Sequence, residues 1–188
     1  MSAIERDPLP QLTPASRWSP VVNDSDRPAT TPSASDHLRR LLRRHASTVV
    51  VVTATGAGGP VGLTVTSFTS VSLRPPLVSF CHFNGSSSWP VVSVAEYVAV
   101  HILAAHQAGV ARIFATAGVD RFARTGWRPG PYGLPLLDGT LAWLACRVTA
   151  RIAAGDHTIV LGAPVAAEYA DGAPLLYHDG RYAFLPGQ

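Results

Sequence analysis

Lysine is missing altogether: all 15 basic residues of the 188-residue chain are arginine, set against 12 acidic ones for a net charge of +3. A phosphate-binding G-x-x-x-x-G-K-[ST] loop is therefore excluded. We read the arginine bias as the mark of a GC-rich genome. Cysteine is nearly as scarce. Cys81 and Cys146 stand alone, too few for a disulfide framework and without a C-x-x-C pair for zinc. The seven histidines do not fall at ligand spacing, His101 and His106 being five apart, so no metal site is expected. The sparse acidic residues are scattered, which argues against a paired-carboxylate hydrolase. No G-x-S-x-G elbow is present. The apolar runs are strand-length, so no membrane-spanning helix is expected. The N-terminus, MSAIERDPLPQ, has acids and prolines where a signal peptide has an apolar stretch. On these absences the chain is expected to be cytoplasmic.

What is there is one domain's worth of core. Hydrophobic residues make up 47% of the chain and mean hydropathy is +0.18, too apolar for a disordered polymer. Residues 1–35 differ from the rest: six prolines and many Ser and Thr leave no apolar periodicity, and we read them as a flexible or surface-wrapping tail. The domain then covers 36–188. Its first helix is expected from about Asp36 to His45, with Ser35 or Asp36 as N-cap. Leu38, Leu41 and Leu42 repeat at helical spacing there, so Arg39, Arg40, Arg43 and Arg44 fall on a solvated face and not on a nucleic-acid surface.

Strand signals dominate beyond that point. Ser47–Ala54 is β-branched, a turn follows at Gly56–Pro60, and Val61–Ser67 returns to make a hairpin. The glycines at 56, 58, 59 and 62 are off register for a dinucleotide loop, and a strand follows them where that loop needs a helix. Phe68–Leu73, Leu77–Phe83 and Tyr97–Leu103 read as strands, with Arg74-Pro75-Pro76 breaking the ladder. A short helix is expected around Pro90 and another over Gln107–Ala115. Gly126–Asp138 reads as loop. Leu141–Ala153 and His157–Ala167 are long strands turning at Ala154-Gly155-Asp156. Leu175–Tyr177 and Arg181–Phe184 close the chain as a small hairpin. Many strands with few short helices predict a mainly β fold, a closed or nearly closed antiparallel barrel.

Four segments carry the chemistry. They are Gly62–Leu77, with its Thr-Val-Thr-Ser-Phe-Thr-Ser-Val-Ser hydroxyl run; Cys81–Pro90, CHFNGSSSWP; Phe114-Ala115 followed by Asp120-Arg121-Phe122; and Ala154-Gly155-Asp156-His157-Thr158-Ile159. By themselves, the hydroxyl run also suits a solvent-facing strand. The serines before the short helix suit either an N-cap or a phosphate cradle of hydroxyls, N–H groups and helix dipole. Phe114 and Phe122 suit a core, and His157 suits a turn-packing histidine.

Their order and spacing over about Leu38 to Tyr182 resemble the flavin reductase family, the FMN-binding split-barrel proteins. That family includes the small components of two-component flavin-dependent monooxygenases. The resemblance implies a Greek-key split barrel that works as a homodimer. It implies hydride transfer from NADH or NADPH to FMN or FAD, with reduced flavin supplied to a partner monooxygenase. Two further activities stay open: an oxidoreductase that keeps its flavin and acts on an organic substrate, and a non-catalytic flavin-binding module. By resemblance, Thr64, Thr66, Ser67, Phe68, Thr69 and Ser70 line the flavin ring and ribityl chain. Asn84, Ser86, Ser87 and Ser88 hold the phosphate. Phe114, Arg121 and Phe122 lie near the flavin and a neighbouring subunit. His157 faces the nicotinamide, where an imidazole positions the carboxamide or supplies a proton. The chain departs from the family pattern at Asn84-Gly85 and Thr116-Ala117-Gly118, where relatives carry basic residues. Phosphate charge is then left to the helix dipole or a remote arginine.

Overall fold

A computed structural model describes residues 33–185. It divides into two units, the first ending at Leu42 and the second beginning at Arg43. In the first, helix α1 runs Ala34–Leu42. It begins before the expected Asp36 because Ser33 is its cap: the Ser33 hydroxyl accepts from the Asp36 N–H at 3.1 Å and the Asp36 carboxylate accepts from the Ser33 N–H at 3.2 Å. The tail reading falls almost wholly outside the described residues.

The second unit is built on strands β1 (Ser47–Thr48), β2 (Val50–Gly56), β3 (Gly59–Val65), β4 (Thr69–Leu73), β5 (Pro76–Phe83) and β6 (Tyr97–Ile102). The one-turn helix α2 (Trp89–Val92) lies between β5 and β6, and α3 (Ala108–Ala115) follows β6. Then come β7 (Trp127–Pro129), β8 (Pro135–Leu137), β9 (Ala142–Ala154), β10 (His157–Tyr169), β11 (Leu176–His178) and β12 (Arg181–Ala183). Seven strands form one antiparallel sheet in the order β3-β2-β6-β9-β10-β5-β4. It curls around a core of Val50, Val52, Val98, Val100, Phe80, Cys146 and Val160. Hydrogen bonds do not close it, since β3 and β4 are its two ends. The barrel is split between two strands that are consecutive in sequence.

Three sequence expectations shift. The single strand over 47–54 is two, because Val49 leaves one partner for another: β1 pairs with β11 and β2 with β3 and β6. Pro60 lies within β3, opposite Thr55, and not in the turn. The expected loop at 126–138 contains the β7–β8 hairpin, which presses Leu134 and Leu136 onto Ala99 and Ala145 on the outer face of the sheet. β2 is apolar at every step from Val50 to Val52 because both of its faces are buried. Val51 belongs to a second cluster with Leu103, Ala111 and Phe114 under α3.

Candidate functional site at the barrel split

Two clefts lie along β3, on either side of the step from Gly62 to Leu63. The larger, about 290 Å³, is lined by Leu63, Thr64, Val65, Thr66, Ser67, Cys81, Phe83 and His157. The other, about 210 Å³, is lined by Pro60, Val61, Gly62, Ser87, Ser88, Val119, Asp120, Arg121 and Phe122.

Strand alternation builds the first cleft. On β5, Val78, Phe80 and His82 are buried while Cys81 and Phe83 are not. Phe83 is paired in register with His157 at the start of β10, and their rings meet at 5.5 Å. The His157 Nδ1–H donates to the Asp156 carboxylate at 2.7 Å, which leaves Nε2 without a hydrogen-bond partner among the described residues. Ser67 sits where β3 has ended and β4 has not begun. Its hydroxyl oxygen accepts from the Cys81 N–H at 2.9 Å and its hydrogen points to the Cys81 carbonyl at 3.3 Å. Thr64 donates to the Ala111 carbonyl at 2.7 Å, tying β3 to α3.

In the second cleft the arginine is held by the backbone. Arg121 Nη1 donates to the Gly62 carbonyl at 2.7 Å, and Nε and Nη2 donate to the Thr116 carbonyl at 3.3 and 2.9 Å. Partial burial lowers its pKa from the usual arginine value. The phosphate-cradle expectation changes in its physics. α2 is four residues long, too short for a useful dipole. Ser88 is its N-cap by position, yet its hydroxyl makes no cap bond. It contacts His82 Nε2 at 3.2 Å and Ser86 Oγ at 2.8 Å instead.

The structure thus brings Thr64, Thr66, Ser67 and His157 into one cleft, and Ser87, Ser88, Arg121 and Phe122 into the next. Asn84 stands beside them on the β5–α2 loop, its side-chain carbonyl accepting from the Thr158 hydroxyl at 2.8 Å. Phe68 packs against the barrel core. Thr69 and Ser70 are exposed on the end strand β4 and line neither cleft. Phe114 has no solvent exposure; it supports β3 from beneath, edge-on to Phe122 at 5.3 Å. Cys81 and Phe83 are additions that sequence reading passed over, although their alternation with Phe80 and His82 was the available signal. Among the described residues no three His, Cys, Asp or Glu side chains cluster as metal ligands, and no helix is long and apolar enough to cross a membrane.

The sequence profile of the flavin reductase like domain matches residues 42–186. This chain belongs to that family. It is 44% identical over 175 residues to an NADH:FMN oxidoreductase from Rhodococcus erythropolis, covering 87% of this chain and 91% of that one. It is 33% identical to the flavin-dependent monooxygenase reductase subunit HsaB of Mycobacterium tuberculosis, over 77% of this chain and 79% of the relative. The NADH:FAD oxidoreductase SgcE6 of Streptomyces globisporus, solved with NAD and FAD fragments, superposes with a TM-score of 0.78 at 36% identity. That match covers 84% of this chain and 98% of the other. The mainly β architecture with a split barrel is the fold these structures share.

Proposed function

We propose that this protein is an NAD(P)H:flavin oxidoreductase that reduces FMN or FAD and passes the reduced flavin to a separate monooxygenase. The observation that carries the reading is the cleft at the barrel split. Its rim of Thr66 and Ser67 is polar, and Leu63, Val65 and Phe83 supply apolar wall. A flavin ring has the same division, a hydrogen-bonding pyrimidine edge and an apolar benzenoid edge, so the residues present fit the group. The second cleft offers Ser87, Ser88 and Arg121 to a phosphate. When bound, the flavin supplies the ring that accepts hydride from the nicotinamide.

The chain's own residues orient and shield. Ser67 fixes the floor of the cleft by holding both backbone groups of Cys81. Asp156 fixes the His157 ring, whose Nε2 edge would then meet the nicotinamide carboxamide or exchange a proton there. Hydride transfer asks mainly for such positioning and exclusion of water. A second copy completes the site: β4 leaves Val71 and Leu73 exposed at the split, Leu73 by 82%, as an interface strand would. The unpaired thiols of Cys81 and Cys146 support a cytoplasmic setting.

The test is steady-state oxidation of NADH and NADPH by the purified full chain with FMN, FAD and riboflavin added in turn. Turnover that depends on added flavin is expected, with the protein eluting as a dimer on gel filtration. Lack of turnover with every pair refutes the reading.

A further inference from the structure

Behind Ser88 lies an imidazole that the proposed reaction does not use. His82 has no solvent exposure. Its Nδ1 lies 2.9 Å from the Phe83 carbonyl, which only accepts, so Nδ1 carries a hydrogen. Its Nε2 lies 3.2 Å from Ser88 Oγ, Ser88 Oγ lies 2.8 Å from Ser86 Oγ, and the Ser88 N–H donates to Ser86 Oγ at 3.3 Å. The Trp89 ring packs over the imidazole at 5.0 Å.

Counting hydrogens along this chain gives two states. With His82 neutral, Nε2 is an acceptor, so the Ser88 hydroxyl must donate inward to it. Ser86 must then donate to Ser88. Both hydroxyl hydrogens are consumed, and neither is left to donate to an anion. With His82 protonated, Nε2–H donates to Ser88. One hydroxyl hydrogen then satisfies the Ser86–Ser88 contact and the other is freed to donate to a ligand. Ser88 lines the cleft that also holds Arg121.

Resting on the flavin-binding reading above, we infer that His82 is a positioning residue whose proton reverses the Ser88–Ser86 hydroxyl chain and so couples binding of the flavin's phosphate to uptake of one proton. This supplies charge where the chain has no lysine and where three Arg121 N–H groups are committed to backbone carbonyls. Free of ligand, burial lowers the pKa of His82 and so disfavours its charged form, with a smaller push from His157, against the Phe83 carbonyl that raises it. Among the described residues the charged neighbours are few. His157 with Asp156 stands on the β10 side, Arg121 and Asp120 stand across the cleft, and Arg151 reaches the end of α2 by donating to the Val92 and Ala95 carbonyls. β3, β4 and α2 carry no titratable side chain.

The experiment compares riboflavin, FMN and FAD binding by fluorescence quenching between pH 6 and 8, with proton uptake read by calorimetry in buffers of different ionisation enthalpy. A phosphate monoester itself titrates near pH ~6, whereas the FAD diester stays charged, so FAD gives the clean reading. Its Kd is expected to tighten by up to ~10-fold per pH unit as pH falls, with proton uptake approaching one per flavin. Riboflavin should be flat. His82→Gln, which keeps neutral hydrogen bonding, should flatten the FAD profile, and Ser88→Ala, which cuts the chain but leaves His82, should do the same. FAD binding without proton uptake, an equal slope for riboflavin, or an unchanged slope in a folded His82→Gln or Ser88→Ala protein overturns the inference and leaves flavin binding intact. Failure of all three flavins to bind would instead overturn the reading on which it rests.

Discussion

His101 should make this protein acid-sensitive by a calculable amount. It sits on β6 with no solvent exposure, its Nδ1 donating to the Val51 carbonyl at 3.1 Å and its Nε2 without a partner among the described residues. A cation there would be desolvated with one nitrogen unpaired. Burial accordingly pushes its pKa down to about 4, the Val51 carbonyl offsetting only part of the shift. An unfolded chain binds the same proton near pH ~6.5, so stability from this group is complete above that value and is lost as pH falls. The loss levels off below the folded pKa. The full span amounts to ~3 kcal/mol, of which ~2 kcal/mol falls between about pH 7 and pH 5. Against a typical total of ~5–15 kcal/mol this is readily measured. Urea unfolding of the wild type and of His101→Asn at both pH values isolates the contribution. Asparagine keeps an N–H for Val51 but does not titrate, and His82, which works in the same direction, is present in both proteins and cancels. The variant starts less stable because its side chain is smaller, yet it should lose ~2 kcal/mol less on acidification. Parallel pH profiles for the two proteins would refute the reasoning.

Gly62→Ala places a Cβ 2.7 Å from the Phe114 ring and 3.0 Å from the Val52 carbonyl oxygen. It should cost ~1–3 kcal/mol in thermal or urea unfolding and weaken flavin binding by shifting the carbonyl that anchors Arg121. Cys81 lines the cleft whereas Cys146 is buried, its thiol pushed up to about 12 by burial. Iodoacetamide should therefore label Cys81 alone in the native protein, more slowly with FMN present, as read by peptide mass mapping. His157→Ala should raise KM for NAD(P)H ~5–10-fold, the worth of about one hydrogen bond, with flavin Kd held within about twofold. An unchanged KM would remove His157 from the nicotinamide face.

Most of the strands were legible because β-branched runs and proline breaks act locally. The hairpin of β2 and β3 and the pairing of β9 with β10 follow from turn residues at Gly59 and Gly155, both at positive φ. The β7–β8 hairpin was hidden because its short strands hold Pro129 and Pro135, and tertiary contacts order it: Leu134 and Leu136 on Ala99 and Ala145, and the Thr53 hydroxyl donating to the Pro135 carbonyl. Thr66, Ser67 and His157 are singled out by the family resemblance, and their meeting in one cleft is a property of topology. His82 was passed over because a lone histidine in a strand has no spacing signal. Its meaning depends on Ser88 folding back beneath Trp89. Phe114 shows the reverse case. An aromatic in a family motif supports the cleft from behind with no exposed surface of its own.

The position of the larger cleft follows from the sheet's failure to close. An unpaired strand edge leaves N–H and C=O groups without ladder partners, a liability most proteins cover. Here the two ends, β3 and β4, are separated by only Thr66, Ser67 and Phe68. Those residues must carry the chain across the gap between β3 and β5. Phe68 does so by packing inward against the core, and Ser67 does so with its side chain. One hydroxyl stands in for a strand opposite Cys81, just before β4 takes up pairing with Ser79. A full strand there would fill the cleft; a single small side chain satisfies the backbone and leaves the space open. The chain thereby obtains a groove with fixed polar groups on one side and the apolar edges of Leu63, Val65 and Phe83 on the other. Ser67, one hydroxyl of the run that marks the sequence, is thus the means by which the β5 edge at Cys81 is satisfied where the barrel is held apart.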